Sequence, residues 1–227
     1  MKTAVSFARP GLAESSTETA MADVRGRLAA YAALAKLRVA TLVLATVAAG
    51  FVLGARGSSH PSTLLLTLLG TGMVASGASA WNQYLERRRD VLMRRTAGRP
   101  LPSGRLAPRE AALFGALIAF AGVAILVVAT NLIAAGVALL TFVLYVCVYT
   151  PLKPVTTLNT AVGAIPGALP PVIGWAAATG RLGIEAWALF LIVFLWQFPH
   201  FLAIAWIYRE DYARGGIRCC RWSTPMA

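Results

Sequence analysis

Residues Thr63–Trp81, TLLLTLLGTGMVASGASAW, run without a break into Asn82–Gly104, NQYLERRRDVLMRRTAGRPLPSG. The first stretch carries no charge and is long enough to cross a bilayer, which takes about 17–25 apolar residues. The second stretch places Asn82, Glu86 and Asp90 four residues apart, on one face of a helix. It then becomes strongly cationic. A carboxamide and two carboxylates beside many arginines suit a divalent cation carrying a polyphosphate. Their place at a membrane edge suits a substrate whose other end is greasy.

Composition extends this reading to the whole chain. Of 227 residues, 58% are apolar and 13% charged, with mean hydropathy +0.67. Ordinary soluble domains carry about 25% charged residues. Six apolar runs are visible, with limits near Leu37–Leu53, Thr63–Trp81, Ala111–Ala129, Leu132–Tyr149, Leu158–Ala178 and Ile184–Tyr208. The expected fold is all-α, a polytopic membrane helical bundle. A β-barrel would show short alternating segments instead. Gly54–Gly57 and Gly180–Gly183 read as turns. Residues 1–28, rich in Ala, Ser and Thr, read as a flexible N-terminal tail without a secretory apolar region.

The net charge of +12 lies in the gaps between apolar runs, so it signals topology and no nucleic-acid partner is expected. Nineteen of the 21 Lys and Arg residues fall on one side, and only Arg56 and Arg181 on the other. The basic side is expected to be cytoplasmic, with both termini on it, in a cell inner membrane. Cys147 lies within an apolar run and reads as a small core residue. Cys219 and Cys220 have no partner pair, which supports neither a disulfide framework nor a zinc site.

The same topology puts Glu210 and Asp211, after span six, on the side of Glu86 and Asp90. Asn82, Glu86, Asp90 and Asp211 together offer an oxygen ligand set for Mg²⁺, which commonly bridges one or two carboxylates to substrate phosphates. Arg94, Arg95, Arg99 and Lys153 can neutralise a diphosphate. Arg87, Arg88 and Arg89 serve orientation. His200, in WQFPHF at Trp196–Phe201, reads equally as a ligand or as a polar group lining a cavity beside the Pro199 kink. In span five, Pro170-Pro171 should break the helix, with Gly163, Gly167 and Gly174 allowing close packing.

These residues resemble a known family. Asn82–Glu86, Asp90, Met93, Arg95-Thr96 and Arg99–Leu101 are similar to the first acidic motif of the protoheme IX farnesyltransferases (heme O synthases), a branch of the UbiA-type intramembrane prenyltransferases. Tyr149-Thr150, Lys153, Thr156 and Asn159 match the family's next loop. Gly167, Pro170-Pro171 and Gly174-Trp175 match the following span. Trp196-Gln197, Pro199–Phe201 and Asp211-Tyr212 match its second acidic region. Glu86 stands where many bacterial members have Asp, and Arg88 and Arg89 stand where many have further acids.

The resemblance implies transfer of a farnesyl group from farnesyl diphosphate to a vinyl group of heme b, with Mg²⁺ as cofactor. It implies Asn82, Glu86, Asp90, Lys153 and Asp211 as catalytic residues. Arg94, Arg95, Arg99, Asn159, Tyr208 and His200 would bind substrates, His200 near the heme. The lipid bilayer and a heme A synthase are the implied partners. Rival expectations are a quinone or chlorophyll-like acceptor, which WQFPHF argues against, and a membrane transporter or heme carrier.

The family has nine spans, so six of nine are expected here, in a membrane domain over residues 29–218. Residues 219–227, CCRWSTPMA, correspond to the family's usual continuation read one base out of frame. They are expected to be out-of-frame product, and low activity is expected of this exact chain.

Overall fold

Backbone polar groups find no water in hydrocarbon, so each apolar run must close its own hydrogen bonds as a helix. The computed structural model describes residues 11–57 and 60–218. Among them every regular element is helical: α1 (Gly11–Ala35), α2 (Leu37–Ala55), α3 (Pro61–Asp90), α4 (Pro108–Ala129), α5 (Leu132–Val143), a π segment (Leu144–Tyr149), α6 (Thr150–Leu152), α7 (Asn159–Ala168), α8 (Pro170–Thr179), α9 (Ile184–Ile207) and α10 (Arg209–Arg214). Among the described residues six spans are long and apolar enough to cross a membrane, the fourth running Leu132–Leu152 and the fifth Asn159–Thr179. This is a multi-pass helical membrane protein. All six match the runs read from sequence. Arg56, Gly57 and Gly180 make the expected far-side turns with positive φ.

Two features, the start of α1 and the exposure of Cys147, depart from the sequence reading. Helix α3 runs past the apolar stretch to Asp90, as the four-residue spacing implies. Its 30 residues span about 45 Å at about 1.5 Å per residue, longer than the roughly 30 Å of hydrocarbon. The excess carries Asn82, Glu86 and Asp90 past the apolar zone. Helix α1 begins at Gly11, inside the segment read as a tail over 1–28. Cys147 is exposed, not part of the core. A span is apolar on its lipid face as well as its protein face, so hydrophobicity alone does not say which side a residue takes. Residues 219–227, including Cys219 and Cys220, lie outside the described residues.

Small residues set how closely the spans approach. On α3 and α4, Gly70 faces Gly122 and Gly77 faces Gly115. A Cβ on Gly122 would stand 2.6 Å from the Gly70 carbonyl oxygen, and one on Gly77 would stand 2.5 Å from that of Gly115. Helices α2 and α8 meet as tightly. A Cβ on Gly174 would lie 1.9 Å from the Val47 oxygen, and one on Gly50 would lie 2.0 Å from the Pro171 oxygen. Pro170-Pro171 does break span five, between α7 and α8 at Leu169. Phe51, Val74, Leu126, Val172, Ile173 and Trp175 fill the core between these helices.

Helix α1 is tied down at its C-terminal end, where helix carbonyls lack intrahelical partners. The Leu34 carbonyl accepts hydrogen bonds from Ser79 Oγ at 2.9 Å and Gln83 Nε2 at 2.8 Å, both on α3. Two residues later, Lys36 adopts the left-handed conformation, φ 51 and ψ 53, and turns the chain into α2.

Gly77→Val should therefore separate α3 from α4 and destabilise the bundle by about 1–3 kcal/mol, the usual range for overpacking. Gly136→Ala is the control, since a Cβ there meets nothing within 4 Å. Thermal unfolding in detergent should show a lowered midpoint for the first variant and none for the second.

Candidate functional site: a polar chamber above an apolar one

The excess length of α3 forms one wall of a polar chamber of about 140 Å³. Asn82, Glu86 and Asp90 line it together, as their spacing predicts. Lys36, Arg95, Arg99, Lys153, Tyr145, Tyr149, Asn159 and Tyr212 complete most of the lining. Four cations thus surround two carboxylates, a surplus of positive charge suited to a polyanion.

Each carboxylate is held by a cation from another segment. Lys153 Nζ lies 2.7 Å from Glu86 Oε1, and Arg99 Nη1 lies 2.7 Å from Asp90 Oδ2. The 91–107 connection folds back over the end of α3. Thr96 Oγ1 donates to the Asp90 carbonyl at 2.8 Å, while Leu101 and Leu106 bury against Ala30, Leu34 and Ala80. Asp90 is fully buried, and its Oδ1 has no hydrogen-bond partner among the described residues. An unsatisfied buried acceptor is costly, and a cation against this oxygen would satisfy it. With Asn82 Oδ1 and Glu86 alongside, the donors are hard oxygens of the kind Mg²⁺ selects. Among the described residues no three Asp, Glu, His or Cys side chains converge on one point. The set therefore fits a metal that completes its shell with water and substrate oxygens.

The wall opposite α3 comes from the fourth span. Its π segment ends with the Thr150 amide donating to the Tyr145 carbonyl, and π turns often mark functional sites. Thr150 Oγ1 accepts from Asn82 Nδ2 at 3.2 Å, and Tyr145 Oη donates to Asn82 Oδ1 at 3.5 Å. Lys153 Nζ also sits 4.6 Å from the Tyr149 ring centroid. Lys36 and Tyr145 were not picked out from sequence, and Tyr149 and Tyr212 were quoted in motifs without a role at the site. The four-residue spacing of Tyr145, Tyr149 and Lys153 was an available signal, whereas nothing local marks Lys36. Burial pushes the Lys36 ammonium down to about 7, helped by Arg99 and Lys153 and opposed by Glu86 and Asp90.

Beyond Lys36, Tyr145 and Tyr149 lies a second chamber of about 320 Å³ with an apolar lining. Val39, Val43, Val74, Phe142, Ile173 and Phe201 form much of its surface. Gln197 is a buried polar member of it, with Thr71 and Ser79, and donates to the Ala164 carbonyl at 3.1 Å. It packs so closely on Gly167 that a Cβ there would lie 2.1 Å from its Oε1.

The remaining candidates from sequence sit elsewhere. Asp211 reaches the same end but does not line the polar chamber. Its carboxylate accepts from the backbone amides of Arg94 and Arg95, each at 3.2 Å, and pairs with Arg214. Arg94 is exposed, and Arg95 lies in the lining with its guanidinium 4.9 Å from the Tyr208 ring. Asn159 spends its amide on the carbonyls of Thr156 and Arg218, both at 2.5 Å, which fixes the loop after Lys153. His200 is exposed, stacked on Trp196 at 4.7 Å and beside Phe201, and lines neither chamber.

Fold and site together define a membrane-embedded bundle with a cation-rich polar chamber capping an apolar one. The chain matches the UbiA prenyltransferase family over residues 43–221. It is 49% identical to the protoheme IX farnesyltransferase of Solibacter usitatus, covering 83% of this chain and 68% of that one. It is 47% identical to the enzyme of the same name from Koribacter versatilis, covering 83% of this chain and 62% of that one. The chain thus spans about two thirds of the length of these curated relatives. Two solved structures share the fold. A UbiA homolog from Archaeoglobus fulgidus, bound to DMAPP and Mg²⁺, superposes with TM-score 0.68 at 20% identity, covering 83% of this chain and 67% of that one. An apo UbiA homolog from Aeropyrum pernix gives 0.63 at 23%, covering 79% and 67%. The chain belongs to the UbiA prenyltransferase family.

Arg214 and the two amides hold the Asp211 carboxyl below the ordinary value of 3.8. A depressed carboxylate contributes stability above its unfolded-state pKa and loses it as pH falls through the folded one. The clamp on the 94–95 backbone should thus be complete at pH 7 and fail only below about pH 4. Hydrogen exchange at the Arg94 and Arg95 amides should report this. Asp211→Asn should lower their protection at pH 7 and flatten its dependence on acid.

Proposed function

We propose that the chain carries the membrane active site of a prenyl transfer enzyme, moving a farnesyl group from farnesyl diphosphate to a vinyl group of heme b to give heme o. The observation that carries this reading is the stacking of the two chambers. A diphosphate matches the four cations of the upper one, and an isoprenoid chain matches the apolar lining of the lower. At about 320 Å³ the lower chamber is at the small end of ligand sites, about 300–1,000 Å³. The choice of heme b draws on the likeness to protoheme IX farnesyltransferases and on Trp196–Phe201.

Asn82, Glu86 and Asp90 are the residues to hold Mg²⁺, which when bound neutralises diphosphate oxygens as a Lewis acid. Lys153, Arg99 and Arg95 meet the remaining phosphate charge with directed hydrogen bonds. As the C1–O bond of farnesyl diphosphate breaks, its electron pair leaves with the diphosphate. The cations of the chamber stabilise that developing charge. The vinyl π electrons then form the new C–C bond, and water adds to the resulting cation with loss of a proton. Tyr145 and Tyr149 present aromatic rings at the neck, where the allylic cation forms. Asp211 serves by holding the 94–95 backbone, and Arg94 stays at the rim. His200 and Trp196 form the heme-side surface, next to Phe201 of the chamber wall. The basic end of the bundle faces the cytoplasm of a cell inner membrane, and a heme A synthase consumes the product.

Hemes extracted from cells expressing the gene should contain heme o, in the low amount expected of this exact chain. Asp90→Ala should reduce it by about a hundredfold or more, the scale seen on removing one transition-state stabilising group, while membrane insertion is unchanged. Prenylation of 4-hydroxybenzoate in place of heme b would select a quinone-type acceptor. Heme flux without Mg²⁺-dependent diphosphate release would select a carrier.

A further inference from the structure

Among the described residues three line both chambers: Lys36, Tyr145 and Tyr149. Lys36 is the charged one. Of the other cations around the polar chamber, Lys153 is paired with Glu86, Arg99 with Asp90, and Arg95 lies over Tyr208. Lys36 has no ion pair among the described residues. Its backbone is held in the left-handed region, φ 51, which glycine adopts more readily than lysine. Ser79 and Gln83 fix the preceding turn through the Leu34 carbonyl. Strain of this kind at a cavity wall points from an observed outlier to a use for the side chain.

We propose that Lys36 is a phosphate-binding residue at the neck between the chambers. Its ammonium binds an oxygen of the inner phosphate of a prenyl diphosphate and marks where headgroup ends and chain begins. This rests on the prenyl diphosphate reading above and adds a contact that fixes how deep the substrate sits. The apolar lining below desolvates the ammonium, Arg99 and Lys153 repel it, and Glu86 and Asp90 compensate only in part. An anion at the neck gives a desolvated ammonium the partner it lacks.

The test is binding of two probes to the purified chain in detergent, by calorimetry with Mg²⁺ present: inorganic pyrophosphate and a non-hydrolysable farnesyl thiodiphosphate. Lys36→Gly keeps the left-handed turn and removes the ammonium. It should weaken both probes about ten- to a hundredfold, as expected for a charged hydrogen bond, with a thermal midpoint equal to or above wild type. Lys36→Arg should stay within about threefold of wild type, because the charge is kept. Lys36→Met serves if the glycine variant does not fold. Wild-type affinity in Lys36→Gly or Lys36→Met overturns the proposal, as does equal loss in Lys36→Arg and Lys36→Gly. A wild-type chain that binds neither probe overturns the prenyl diphosphate reading itself.

Discussion

The structure depends on two carboxylates that α3 carries into a buried position, each neutralised from a different part of the chain. Glu86 is met by Lys153 from the loop after the fourth span, and Asp90 by Arg99 from the 91–107 connection. Removing one partner of a buried pair costs about 3–5 kcal/mol, because the other charge is left uncompensated. The two pairs therefore hold both loops against the end of α3. Under the proposed function, a metal would take over the carboxylates while a diphosphate takes over the cations.

That arrangement needs a rigid α3. The helix is longer than the hydrocarbon is thick, and it stays ordered because glycine pairs draw α4 onto it and α1 is clamped to its polar side. In a bilayer there is no hydrophobic gain from pressing one span onto another, so close backbone contact carries the packing. Helix α9 is the contrast. Gln197 and Phe201 face the lower chamber, whereas Trp196, Leu195 and Ile192 are exposed. The pattern WQFPHF thus divides between two sides of one helix.

Much of this was legible along the chain. The six spans follow from length and hydropathy, and the proline pair predicted the break at Leu169. Asn82, Glu86 and Asp90 could be placed on one face because four-residue spacing is local geometry. Asp211 illustrates the limit. Topology put it at the correct end, but the orientation of its carboxylate depends on the Arg94 and Arg95 amides, which come from a loop far away in sequence. Cys147 was read as a core residue from its type, and it is exposed. On a span buried in lipid, both faces carry apolar residues, so composition does not reveal orientation.

By itself, the sequence determined the class of solvent, the six membrane spans among the described residues, the basic end of the bundle and the polar face of α3. Those are set by single-segment physics: transfer into hydrocarbon, helical period and charge placement. Only the tertiary structure decided that Lys153 and Arg99 are already engaged, that Asp211 braces a loop, and that Lys36 stands between a polar and an apolar chamber. Each of these depends on which distant segments meet. That is governed by the glycine contacts and by the hydrogen bonds at the Leu34 carbonyl, and neither can be read from one segment alone.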